Sequence, residues 1–159
     1  MDHVEIISHS PQETILLAKQ ITKGLKPGSI LCLFGNLGSG KTTFVKGLAE
    51  GLNVDAKKVN SPTFVFMNHY EGKVPLYHFD LYRIENSKEM GILGYEEFVY
   101  GHGIAVIEWA QKMEQLLPKE YLGVWLEHQG EQTRRLRLEA KGKNYIGVIN
   151  KLKHSLNTK

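Results

Sequence analysis

Gly35, Gly38, Gly40, Lys41 and Thr42 are the residues of this chain best suited to chemistry, because Gly35 to Thr42 keeps the spacing G-x-x-x-x-G-K-[ST]. That spacing describes a loop that holds phosphate. Glycines let successive backbone N–H groups turn inward toward one anion, since no Cβ forbids the conformations required. The intervening Asn36, Leu37, Gly38 and Ser39 supply further amides, and Thr43 supplies one more at the start of the following helix. Lys41 can reach the β- and γ-phosphates as a point charge, and the Thr42 hydroxyl can ligate Mg2+. The alternative is a glycine-rich turn that binds nothing.

The elements on either side must position that loop. Ile30-Leu31-Cys32-Leu33-Phe34 is uninterrupted and apolar, as expected of a strand buried on both faces. From Thr43 to Leu52 the apolar positions 44, 45, 48, 49 and 52 have helical spacing. Strand, loop and helix together favour phosphate binding over the bare turn.

A phosphate site of this kind needs a carboxylate at the C-terminal end of a neighbouring strand, to hold Mg2+ or orient an attacking water. Glu108, after Ile104-Ala105-Val106-Ile107, has that form, and Asp80 is the second candidate. The competing readings are a solvent-facing strand-end acid for Glu108 and a turn or edge-strand acid for Asp80. Ser61 and Thr63, flanking Pro62, could be a switch segment that responds to the γ-phosphate, or local turn caps. Arg134, Arg135 and Arg137 are the arginines besides Arg83, and strand alternation sends Arg135 and Arg137 to one face and Arg134 to the other. The seven histidines lack tight metal-ligand spacing, so no metal is assigned to them.

Composition bounds the rest. A length of 159 residues with 42% hydrophobic content suits one α/β domain over residues 1–159. No apolar run reaches transmembrane length, the start Met1-Asp2-His3 lacks a signal-peptide pattern, and a single Cys32 excludes an internal disulfide. The expectation is a cytoplasmic protein with no membrane role. A net charge of +3 is too small to imply nucleic-acid binding by itself.

In chain order, Val4 to Ile7 reads as a short strand, and Ser10-Pro11-Gln12-Glu13 as a capping box opening a helix that stops near Gly24. Phe64 to Tyr70 and Val74 to Tyr82 suggest an antiparallel hairpin, with Pro75 at an edge or strand start, presenting Thr63 and Asp80 at one end. Ser87 is expected to cap a helix from Lys88 that breaks near Gly94 and resumes through Tyr100. Ala110 to Leu117 reads as a helix stopped by Pro118, Leu122–Glu127 and Arg134–Glu139 as two strands, and Tyr145–Leu156 as a helix with Ile146, Ile149, Leu152 and Leu156 on one face.

GNLGSGKTT at 35–43, SPTF at 61–64, YHFDLYR at 77–83 and IEW at 107–109 follow one another in this order. The set resembles the bacterial TsaE family of P-loop ATPases, also called YjeE, over nearly the whole chain. The resemblance implies a mixed central β-sheet flanked by helices, and an ATPase that works with TsaD and TsaB in making threonylcarbamoyladenosine beside the anticodon of tRNA. Contact with tRNA would then be indirect, through the complex, and TsaD would transfer the group. It further implies Thr42 and Glu108 beside Mg2+, Lys41 and the loop backbone on the phosphates of ATP, and Asp80 as a catalytic or metal-side acid. Ser61 to Thr63 would be nucleotide-sensitive, and Arg134 would match a basic position near the nucleotide. Asn36 departs from the family's usual Asp at that place. The competing classes are a small-molecule kinase and a switch protein in which ATP is bound but not hydrolysed. A GTPase is disfavoured because Asn150-Lys151-Leu152-Lys153 has lysine where N-K-x-D needs its acid.

Overall fold

The computed structural model describes residues 2–62 and 65–157. Seven strands form one mixed sheet: β1 (His3–Ser8), β2 (Ile30–Phe34), β3 (Met67–Tyr70), β4 (Leu76–Asp80), β5 (Ile104–Glu108), β6 (Tyr121–His128) and β7 (Arg134–Lys141). Their order across the sheet is β1-β7-β6-β2-β5-β4-β3. β2 lies parallel to both β5 and β6, and β4 lies parallel to β5. The β1–β7, β6–β7 and β3–β4 pairs are antiparallel.

Alternation along the inner strands divides the core. Leu31 and Leu33 of β2 face helices α1 (Pro11–Thr22), α2 (Lys41–Gly51) and α5 (Ile146–Asn157). Ile30 and Cys32 face the other way, toward α3 (Lys88–Ile92), α4 (Tyr95–Val99) and the 3-10 segment Ala110–Leu116. That is why an unbroken apolar run was needed there: both faces of β2 are covered. Ser10 caps α1, its hydroxyl accepting from the Glu13 amide at 3.1 Å, while the Glu13 carboxylate accepts from the His9 amide at 2.6 Å.

Four local readings change. The described hairpin ladder begins at Met67, because Phe66 takes a left-handed backbone with φ of 72°, while Phe64, the expected first residue, lies outside the described residues. The Phe66 amide donates to the Pro62 carbonyl instead, at 2.8 Å. Ser87 stands at the start of α3 but does not cap it; its hydroxyl accepts from Gln115 Nε2 at 3.3 Å. The Glu89 carboxylate takes the preceding Glu85 and Asn86 amides instead. The helix after β5 is 3-10, entered through Trp109 at φ 58° and broken at Glu114 with φ 51°. In α5 the most buried positions are Val148, Ile149 and Leu152, with Ile146 and Leu156 only half-buried.

The α1–α2 contact is close because Gly47 has no side chain. A Cβ there would meet the Ile15 carbonyl and lie 2.6 Å from Ala18 Cβ. Gly47→Ala is therefore expected to be destabilising: overpacking costs about 1–3 kcal/mol, against a helix-propensity gain of about 1 kcal/mol. A fall in the urea midpoint with unchanged m-value is the result to look for.

Candidate functional site

β2 delivers the chain to Gly35, where a Cβ would come within 2.5 Å of Ser39 Oγ and 2.7 Å of the Leu126 carbonyl oxygen. Gly38 and Gly40 follow with φ of 80° and 102°, a region that favours glycine. Gly40 is the N-cap of α2 and offers no side-chain cap, so the first-turn amides are available to an anion. The loop thus turns through backbone conformations that glycine at 38 and 40 permits.

Lys41 is 5% exposed. Its Nζ donates to the Gly35 carbonyl at 2.6 Å, the Asn36 carbonyl at 2.9 Å and Ser39 Oγ at 3.4 Å. The same ammonium lies 4.2 Å from the centroid of the Trp109 ring. Burial lowers its pKa from the ordinary lysine value, with the charges of Glu108 and Asp80 acting in the opposite direction. An arriving polyphosphate would strengthen that second influence.

Across from the loop, β4 and β5 end side by side, with Asp80 paired to Glu108 in register. Neither acid faces solvent: Asp80 is 4% exposed and Glu108 2%. The Thr42 hydroxyl lies 3.2 and 3.1 Å from the two Glu108 carboxylate oxygens. Asp80 accepts from Ser61 Oγ at 2.5 Å and from the Tyr82 amide at 2.9 Å. The structure therefore brings Ser61 to the acid, while Thr63 lies outside the described residues.

Arg134 separates from its neighbours as alternation requires. Its Nη2 donates to the Gly38 carbonyl at 3.1 Å, and its Nη1 to the Gly130 and Thr133 carbonyls at 2.9 and 3.0 Å. It thereby ties the β6–β7 turn to the phosphate loop. Arg135 and Arg137 instead pair with Glu5 on β1.

These groups surround one cleft of about 450 Å³. Leu37, Gly38, Gly40, Lys41, Thr42 and Thr43 form one wall, and Ser61, Asp80, Glu108 and Arg134 face them. Asn36 and Ser39 do not line it; each turns an oxygen toward Lys41 instead. A hydroxyl and two carboxylates are hard oxygen donors that fit Mg2+, which normally keeps waters and phosphate oxygens as its other ligands. Among the described residues no cluster of three or more His, Cys, Asp or Glu side chains could cage a metal by itself.

Sequence reasoning missed two participants. Trp109 enters the cleft beside Lys41, and its ring meets that of Tyr82 at 5.1 Å. His78 is wholly buried and its Nε2 meets Glu108 Oε2. Its position two residues before Asp80, on the same face of one strand, was the available signal.

The family model for "Threonylcarbamoyl adenosine biosynthesis protein TsaE" matches residues 8–136. The tRNA threonylcarbamoyladenosine biosynthesis protein TsaE of Bacillus subtilis is 43% identical over 137 residues, covering 86% of this chain and 85% of its own. Its namesake from Treponema pallidum is 40% identical over 113 residues, covering 71% and 83%. The crystal structure of Bacillus subtilis YdiB superposes with a TM-score of 0.81 at 35% identity, covering 98% of this chain and 97% of that one.

Proposed function

Since the chain belongs to the TsaE family, we propose that it is a Mg2+-dependent ATPase serving threonylcarbamoyladenosine modification of tRNA. One observation carries this reading. The Thr42 hydroxyl at the mouth of the glycine loop meets a buried strand-end acid, Glu108, in the same cleft as Lys41. The protein is read as one domain over residues 1–159, acting in the cytoplasm. No helix among the described residues is long and apolar enough to cross a membrane.

Phosphoryl transfer asks little covalent chemistry of a protein, so the work is positioning and charge neutralisation. The amides of Leu37, Gly38 and Gly40, with Thr43, would hold the phosphates of ATP, and Lys41 would move its ammonium from loop carbonyls to phosphate oxygens. Thr42 and Glu108, with Asp80 nearby, would hold Mg2+, which supplies neutralisation of the charge on the β- and γ-oxygens. Asp80 or Glu108 would orient the attacking water. Ser61, which donates to Asp80, would respond when the γ-phosphate leaves.

TsaD and TsaB are the proposed partners, with tRNA met indirectly through them. Arg134 is the one arginine lining the cleft among the described residues, and its guanidinium is tied to four backbone carbonyls. Hydrolysis by the isolated chain should therefore be slow and should rise when the partners are added. Rebuilding the modification from purified components, with and without this chain, tests the reading. Equal ATP turnover with and without TsaB and TsaD would overturn it, and transfer of labelled γ-phosphate to a metabolite rather than water would favour a kinase.

A further inference from the structure

We propose that His78 is a positioning residue whose Nε2–H fixes the Glu108 carboxylate in the orientation that Thr42 meets. Its consequence for turnover rests on the nucleotide-binding reading above; its geometry does not. The β4–β5 register pairs His78 with Val106 and Asp80 with Glu108, so the imidazole lies two pairs below the two acids and on the same sheet face. From there its Nε2 reaches Glu108 Oε2, while Thr42 approaches the carboxylate from α2.

The tautomer follows from what each atom can do. An ionised carboxylate only accepts, so the ring donates from Nε2. His78 is 0% exposed, and its Nδ1 has no hydrogen-bond partner among the described residues. A doubly protonated ring would leave a buried N–H unpaired, whereas the Nε2–H tautomer leaves only a bare lone pair. The structure thus holds one donor, aimed at one oxygen.

That donor has a specific effect. The last torsion of a glutamate side chain is broad, and Thr42 sits almost equally far from both oxygens, at 3.2 and 3.1 Å. The hydroxyl alone does not choose between carboxylate rotations; the imidazole does. Groups standing behind a cation-binding carboxylate act in this way, and losing one typically costs about 10–100-fold in metal affinity or activity. A histidine present only for packing would be replaceable by an apolar side chain of similar size.

The test compares His78→Leu with His78→Gln in the full chain, each checked for native circular dichroism. The readouts are affinity for a non-hydrolysable ATP analogue with and without Mg2+, kcat and KM for ATP, and the ring 15N signals of His78 in nucleotide-free protein. His78→Leu should lower the Mg2+ enhancement of analogue binding and kcat by about 10–100-fold, leaving Mg2+-free affinity unchanged and raising KM for ATP in step with the lost enhancement. His78→Gln, which keeps an N–H near the same place, should recover most of the loss. A folded His78→Leu with unchanged enhancement and turnover overturns the proposal, as does a loss that His78→Gln fails to repair. If neither variant folds, the wild-type ring decides: one Nε2–H tautomer, disturbed by Glu108→Ala, supports the proposal, and mixed tautomers defeat it. Should the wild-type chain show no Mg2+-dependent nucleotide binding, the proposed function falls, and the same ring signals still decide on His78.

Discussion

Lys41→Ala will weaken ATP binding about 100-fold and abolish support of tRNA modification. The magnitude follows from the contacts the ammonium would make to phosphate on the reading proposed above. Hydrogen bonds to charged groups contribute about 1.5–3 kcal/mol each, so losing one or two removes about 3 kcal/mol, or roughly two decades of affinity. The fold should survive, because Lys41 serves only loop oxygens and the Trp109 ring in the nucleotide-free structure. Calorimetric titration with ATP is the direct measurement, and an affinity within threefold of wild type would refute the assignment of Lys41 to the phosphates. A pH dependence accompanies it. Burial lowers the Lys41 pKa in the free protein, and bound phosphates would raise it. Binding then takes up protons on the alkaline side: affinity is full below the free-protein pKa and falls as pH rises through it. The same titration on Lys41→Ala should lose that slope.

Glu108→Gln separates hydrolysis from binding. The amide keeps the shape of the acid and can still accept from His78, but it removes the charge beside Thr42 and any capacity to take a proton from water. ATP hydrolysis should fall by about 10²–10⁴-fold, the usual contribution of a general base, with Mg2+-free ATP affinity changed only a few-fold. Single-turnover hydrolysis and analogue binding, measured on one preparation, check both halves. The same variant decides between an ATPase cycle and a static switch. Loss of tRNA modification together with hydrolysis supports the cycle, whereas full modification without hydrolysis means that ATP merely stabilises a partner-binding shape.

The parts of this site that could be read from the chain are those where residue type is tightly restricted by backbone geometry or charge. The positive φ of Gly38 and Gly40, with the close approach at Gly35, admits little besides glycine, so the loop announced itself. Alternation separated Arg134 from Arg135 and Arg137, because a strand offers only two faces. The contact between His78 and Glu108 was not legible, since it depends on β4 lying beside β5, a pairing between residues about 30 positions apart that no local pattern encodes. The left-handed backbones of Phe66 and Trp109 were equally hidden: neither residue type favours that conformation, so surrounding contacts must impose it. Trp109 consequently lines the cleft beside Lys41 from a position that reads, in one dimension, as a simple strand end.

The placing of β2 has a consequence for how the protein is made. Its neighbours on both sides, β5 and β6, begin at Ile104 and Tyr121, so none of its ladder partners lies among the first hundred residues. A ribosome that has released only the first half of the chain has emitted the phosphate loop on a sticky pentapeptide with nothing to zip against. Closing such distant pairs is entropically slow, and unpaired apolar strands invite association in the interval. Nascent chains stalled before Glu108 will therefore depend on holding chaperones, and the glycine loop they carry will lack the Glu108 and Arg134 side of its cleft.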